Sequence, residues 1–164
     1  MSYPLRRLVF RPEDLSAATQ HPFGCFELKP HDIIQRACTG FARVKDIQPF
    51  RIFLQPYVKS DDCFISREGS TSLALPKRSM VFSAGSLMYY RGWELAGNFA
   101  HEYGHDLAVN PDDEFEADFI ASQLIGPYNM LSWLTSMGER HGFYTNGDHP
   151  SFNRRIQHLQ EHTL

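Results

Sequence analysis

His101-Glu102-Tyr103-Gly104-His105, followed after Asn110-Pro111 by Glu114-Phe115-Glu116-Ala117-Asp118, is the stretch on which the reading of this chain turns. On an α-helix, residues four apart stand one above the other, so His101 and His105 present two imidazoles to one point. Glu102 projects from the neighbouring edge of the same face, and the three together outline a zinc-water site. Hydrolytic zinc takes three protein ligands and keeps a fourth position open, and two histidines with one carboxylate form a recurring set.

The third ligand follows if the first helix ends near Val109 and the chain reverses at Asn110-Pro111 into an antiparallel second helix. Asn110 is the expected cap, Pro111 suits the first helical position, and Asp112 and Asp113 favour the positive end of the helix dipole. Counting outward from the turn brings His105 level with Glu114, and His101, about 6 Å further back, level with Asp118. Glu114 then completes the ligand set, while Asp118 accepts the free ring N–H of His101 and fixes its tautomer. Glu116, about 200° round the helix from Glu114, points away. One zinc ion per chain is expected, held by His101, His105 and Glu114 with Glu102 as general base.

The rest of the chain bounds this reading. Its 164 residues, 42% hydrophobic and 13% aromatic, suffice for a buried core and predict a single domain over residues 1–164. A net charge of −3 with both signs interspersed gives no footprint for nucleic acid or an anionic membrane. The N-terminus has no apolar stretch before a small-residue cleavage site, and no run approaches 18 apolar residues. The expectation is a chain without a transmembrane segment, cytoplasmic or exported without a cleavable signal. Cys25, Cys38 and Cys63 are odd in number and lack CxxC pairing, so buried thiols are expected rather than a disulfide framework. The alternative is that one of them coordinates the zinc in a latent form.

Hydrophobic periodicity orders the elements. Residues 1–29, rich in proline, read as an irregular N-terminal wrap with a regulatory role as one option. A helix is expected from Pro30 to about residue 45, a strand over Phe50–Leu54, and loops on either side of Cys63-Phe64-Ile65. Short strands follow at Ser72–Leu75 and Met80–Ser83. Helices are expected from Leu87 or Arg91 to Val109, Pro111 to about Leu124, Asn129 to Ser136 and Pro150 to Gln160. Gly104, flanked by the ligands, allows another element to approach closely.

Residues 70–164 resemble the gluzincin peptidases of the HtpX and CAAX prenyl protease group and the small soluble minigluzincins. The resemblance is carried in order by Ser72-Leu73-Ala74-Leu75-Pro76, by Met80 to Leu87, and by Glu94-Leu95 leading into His101-Glu102-Tyr103-Gly104-His105. It continues through Glu114 to Asp118, an ExxAD motif, and His149-Pro150-Ser151 with Arg155-Ile156, an HPxxxxRI element. It implies the same roles as the helix-pair argument: His101, His105 and Glu114 as ligands, Glu102 as base, Asp118 as outer partner. It also implies an α+β zincin-like fold, with a small twisted sheet packed on the HExxH helix and a second antiparallel helix closing the zinc face. Residues 1–69 match only through one helix and one strand. The interval between the two zinc motifs is shorter than in the membrane members and their transmembrane helices are absent, so prenylated substrates do not carry over.

The expected reaction is hydrolysis of a peptide bond by zinc-activated water, with Glu102 passing the proton to the leaving amine. His149, Tyr128, Tyr144 and Arg155 are the residue types available to stabilise the oxyanion, with His149 preferred. Ser72, Leu73, Ala74 and Leu75 are expected to form an edge strand to which an extended peptide adds, and Arg155 is either a substrate contact or half of a structural ion pair. Two other readings keep the same residues: a non-catalytic zinc-stabilised module that binds a partner, and hydrolysis of a small amide. A base beside an open metal position favours an enzyme, because a structural site has no use for it.

Overall fold

A computed structural model describes residues 19–20, 26–27, 39–40, 42–43, 46, 48–55, 63–66, 76–83, 90–145 and 147–163. The architecture is α+β, and the chain divides into two compact units, Met1–Leu95 and Ala96–Leu164.

The first unit is built on a mixed five-stranded sheet. Its strands are β1 (Thr19–Gln20), β2 (Phe26–Glu27), β3 (Arg51–Gln55), β4 (Cys63–Ser66) and β5 (Ser79–Ser83), in the order β1-β2-β3-β5-β4. β3 and β5 are parallel, from Arg51 opposite Ser79 to Gln55 opposite Ser83, and the other neighbours are antiparallel. The parallel pair forms the core of the sheet. Ile52, Phe53 and Leu54 in β3 and Met80, Val81 and Phe82 in β5 are all buried, which is why both segments read as continuous apolar runs without alternation. Both strands lie where the apolar runs put them, within a residue at each end. Cys63–Ser66, expected only as a segment between loops, is a strand because it pairs antiparallel with β5.

Among the described residues four helices follow the sheet. α1 (Gly92–Leu107) carries the chain into the second unit, where α2 (Glu114–Ile125), α3 (Pro127–His141) and α4 (Phe152–Thr163) pack against one another. Ala117, Ala121, Met130, Leu134, Met137 and Leu159 are buried on these helices. α2 and α3 are separated by Gly126 alone, which has φ 91° and sends its N–H to the Ser122 carbonyl, while Pro127 takes the first turn of α3. The Gly126-Pro127 boundary makes α3 longer than the expected Asn129–Ser136.

The start of α2 corrects another expectation. Asn110 does not cap the second helix and Pro111 is not its first residue. The Asn110 side chain accepts the Asp112 N–H at 3.1 Å and its carbonyl accepts the Asp113 N–H at 3.0 Å, so residues 110–113 form a turn of their own. Asp113 is the cap, accepting from the N–H groups of Phe115 and Glu116 at 2.9 and 3.2 Å. The signal was an acidic cap residue three positions before a glutamate, Asp113 to Glu116.

No described helix is long and apolar enough to cross a membrane. The expected Ser72–Leu75 strand, Cys25, Cys38 and most of the Pro30–45 helix lie outside the described residues.

Candidate metal centre

α1 and α2 meet at Gly104. A Cβ built there would stand 2.1 Å from the Ala117 carbonyl oxygen, so the two backbones are in direct contact and only glycine fits. That contact sets the register of the side chains on either side of it. His105 Nε2 lies 3.4 Å from Glu114 Oε1, His101 Nε2 lies 3.2 Å from Glu114 Oε2, and His101 Nδ1 lies 2.9 Å from Asp118 Oδ1. The pairs run in opposite directions along the two helices, as an antiparallel arrangement demands.

The ring protons are assigned by the partners. His101 Nδ1 lies 2.9 Å from the Asp118 carboxylate, an acceptor, and 3.3 Å from Arg155 Nη2, a donor, and the shorter contact with the carboxylate favours a proton on Nδ1. His105 Nδ1 lies 2.8 Å from the Pro111 carbonyl and donates to it in the same way. In the neutral rings both Nε2 atoms then carry lone pairs, and they face each other across 3.0 Å. Two lone pairs at that distance repel unless a proton, shared as a hydrogen bond, or a metal cation lies between them. Trp133 backs the cluster, its ring 5.1 Å from that of His101 and its Nε1–H donating to the Asn98 side chain at 2.7 Å. The indole reaches α1 over Gly97, where a Cβ would meet it at 2.2 Å.

α4 supplies the remaining charge. Arg155 is buried, and its guanidinium grips Asp118 with two parallel hydrogen bonds of 2.7 Å, from Nε to Oδ2 and from Nη2 to Oδ1. Its Nη1 lies 3.1 Å from Glu114 Oε2, close enough for a charge interaction but off the line of a hydrogen bond, so Oε2 is a buried acceptor with no hydrogen-bond partner. Of the two alternatives left open for Arg155, the ion pair is present, with Asp118 as its partner. His149, on the loop before α4, places Nδ1 2.8 Å from Glu114 Oε1 and leaves most of its ring exposed. Tyr128 and Tyr144 are 73% and 78% exposed, and no contact ties either to the cluster.

Electrostatics follow from this packing. Burial and the Arg155 charge oppose a proton on His101, but the close carboxylates of Asp118 and Glu114 outweigh them and raise its pKa to about 9. Burial alone would push Glu114 up, yet the close rings of His101 and His105 hold its carboxyl far below the usual range. Asp118 is likewise lowered, the Arg155 charge and hydrogen bonds overcoming burial. Glu102 moves the other way: desolvation raises its pKa against the pull of both histidines.

The donor set fits a metal ion. One ligand atom each from His101, His105 and Glu114 can be chosen so that all lie within 4.8 Å of one another. Ligands about 2.0–2.1 Å from a tetrahedral ion stand about 3.3 Å apart, and His101 Nε2 lies 3.0 Å from His105 Nε2 and 3.2 Å from the orphaned Glu114 Oε2. With both histidines in the neutral form that ligation requires and all three carboxyls ionised, Glu102, Glu114 and Asp118 against the guanidinium of Arg155 leave two negative charges, which a divalent cation neutralises.

Glu116 faces away from the histidines, and its role was not legible from its helical position. Its two oxygens accept the N–H groups of Val109 and Asn110 at 2.9 and 3.2 Å, tying α2 back to the turn. Glu116→Ala is expected to cost about 1.5 kcal/mol, the low end for hydrogen bonds to a charged group because the site is exposed, while metal uptake stays near wild type. Denaturant unfolding with parallel metal titration measures both, and unaltered stability would contradict the tie. No known protein family, curated protein or solved structure matches the chain.

Proposed function

We propose that this chain is a zinc-dependent peptidase of zincin-like fold, akin to the gluzincins it resembles. The observation that carries the reading is the convergence of two imidazole lone pairs and the orphaned Glu114 oxygen beside a carboxyl, Glu102, whose pKa is raised. Zinc held by His101, His105 and Glu114 would supply a Lewis acid that polarises a peptide carbonyl and acidifies water. Glu102 takes the proton of the attacking water and delivers it to the leaving amine. Desolvation makes it a stronger base than an exposed glutamate and lets it hold that proton between the two transfers. His149, its ring mostly exposed and its Nδ1 2.8 Å from Glu114 Oε1, stands nearer the cluster than Tyr128 or Tyr144 and is the residue we assign to meet charge developing on the carbonyl oxygen. Asp118 keeps His101 in the ligating tautomer.

Metal analysis joined to a peptide-library cleavage assay on wild type and Glu102→Gln tests this. The amide keeps the shape and removes the base, so the variant is expected to retain zinc and fold while hydrolysis falls by about 10² to 10⁴-fold. Undiminished turnover in Glu102→Gln would sink the mechanism. A folded, zinc-loaded wild type that cleaves no member of the library would instead favour the metal-stabilised binding module.

A further inference from the structure

Arg155 touches Asp118 and the proposed ligand Glu114 at once. It grips Asp118, the acceptor for His101 Nδ1, and its Nη1 stands 3.1 Å from Glu114 Oε2, the oxygen nearest His101 Nε2. Both ends of that arrangement are buried, with Arg155 4% and Asp118 1% exposed, so neither side chain has water to replace a lost partner. The fork leaves Asp118 no rotational freedom. One carboxylate oxygen takes Nε, the other takes Nη2, and the plane so fixed aims Oδ1 at His101. The guanidinium is itself held in place, its Cζ lying 5.8 Å from the Trp133 ring centroid and 5.2 Å from that of Phe152. The Arg155 N–H closes the first turn of α4 on the Ser151 carbonyl at 3.1 Å, so the helix start places the residue beneath the cluster.

From this geometry we infer that Arg155 is a positioning residue for the metal centre, acting on His101 mainly through Asp118 and also from its own Nη2, 3.3 Å from His101 Nδ1, and directly on Glu114, and that α4 thereby sets the ligand geometry of a site whose ligands all lie on α1 and α2. The inference rests on the metal reading proposed above. Arg155 touches no substrate in this role. It differs from an ordinary buried ion pair in one respect: an ion pair that only stabilised the helices would leave the metal's coordination untouched once the protein was folded.

The test uses Co²⁺ as a spectroscopic substitute, with affinity and visible absorption measured on wild type, Arg155→Lys, Asp118→Asn and the double variant, each shown to be folded by circular dichroism. Lysine keeps the charge and loses the fork. Arg155→Lys is expected to weaken metal affinity by about 10 to 100-fold and to alter the cobalt absorption bands. Because Arg155 acts largely through Asp118, the double variant should lose little more than the worse single variant, where independent roles would multiply. A folded Arg155→Lys with wild-type affinity and spectrum overturns the positioning role and leaves the metal reading standing. A wild type that takes up no cobalt or zinc overturns the metal reading, and this inference with it. Should Arg155→Lys fail to fold, Arg155→Gln combined with Asp118→Asn removes both charges together, and its cobalt spectrum answers the same question: identity with wild type refutes the inference.

Discussion

Gly104→Ala is expected to lose metal binding and to be markedly destabilised. Replacing a helical glycine by alanine ordinarily gains about 1 kcal/mol of helix propensity. Here the added methyl would stand 2.1 Å from the Ala117 oxygen, 2.8 Å from its carbonyl carbon and 2.9 Å from its Cα. These are backbone atoms in the interior of α2, so no rotamer change relieves the clash and the two helices must move apart. Overpacking of flexible side chains already costs about 1–3 kcal/mol, and a rigid clash lies at or beyond the top of that range, so the sign is set by sterics. The same displacement would stretch the separations of 3.2 and 3.4 Å that join His101 and His105 to Glu114, whereas metal sites tolerate about 0.2 Å. Gly147→Ala, where the methyl meets nothing within 4 Å, is the matched control. Thermal unfolding and zinc titration of the two variants decide the point: wild-type behaviour of Gly104→Ala would show that the helices do not touch there.

Raising the pH should strengthen metal binding while weakening the metal-free fold. In the absence of metal, His101 has a pKa of about 9, so at neutral pH a proton occupies the lone pair that a metal needs. Each pH unit below about 9 is then expected to cost about tenfold in apparent affinity. Stability runs the opposite way. The folded-state value lies above the unfolded one of about 6.5, so the proton's contribution is complete below about pH 6.5 and is lost as pH rises through about 9. Melting the protein with and without chelator across pH 6.5 to 9 separates the two. The midpoint should fall with pH in chelator and hold or rise with excess zinc, and parallel trends in the two series would exclude proton–metal competition at His101.

The centre was legible because its parts lie close together in sequence. A four-residue step on one helix and a short reversal into the next allow the pairing of His105 with Glu114 and of His101 with Asp118 to be counted, and Gly104 marks where the backbones close. The turn itself was misread because proline after asparagine suggests a helix start, while the Asp113 cap and its Glu116 partner three residues on carried the stronger signal. Residues brought in from a distance were harder. Arg155 is 37 positions from Asp118, and nothing in local periodicity says which of two carboxylates a buried guanidinium will choose. The sheet was read through its two apolar runs, but their parallel pairing depends on a crossover between them that periodicity does not encode.

The tight turn at residues 110–113 also orders the assembly of the site in time. Bringing His105 to Glu114 closes a loop of nine residues, whereas bringing Arg155 to Asp118 closes one of 37, a difference of about two doublings and so of about 1 kcal/mol in chain entropy. The paired ligands can therefore meet while α4 is still unplaced, and a nascent chain presents them some 40 residues before Arg155 emerges to hold them in position.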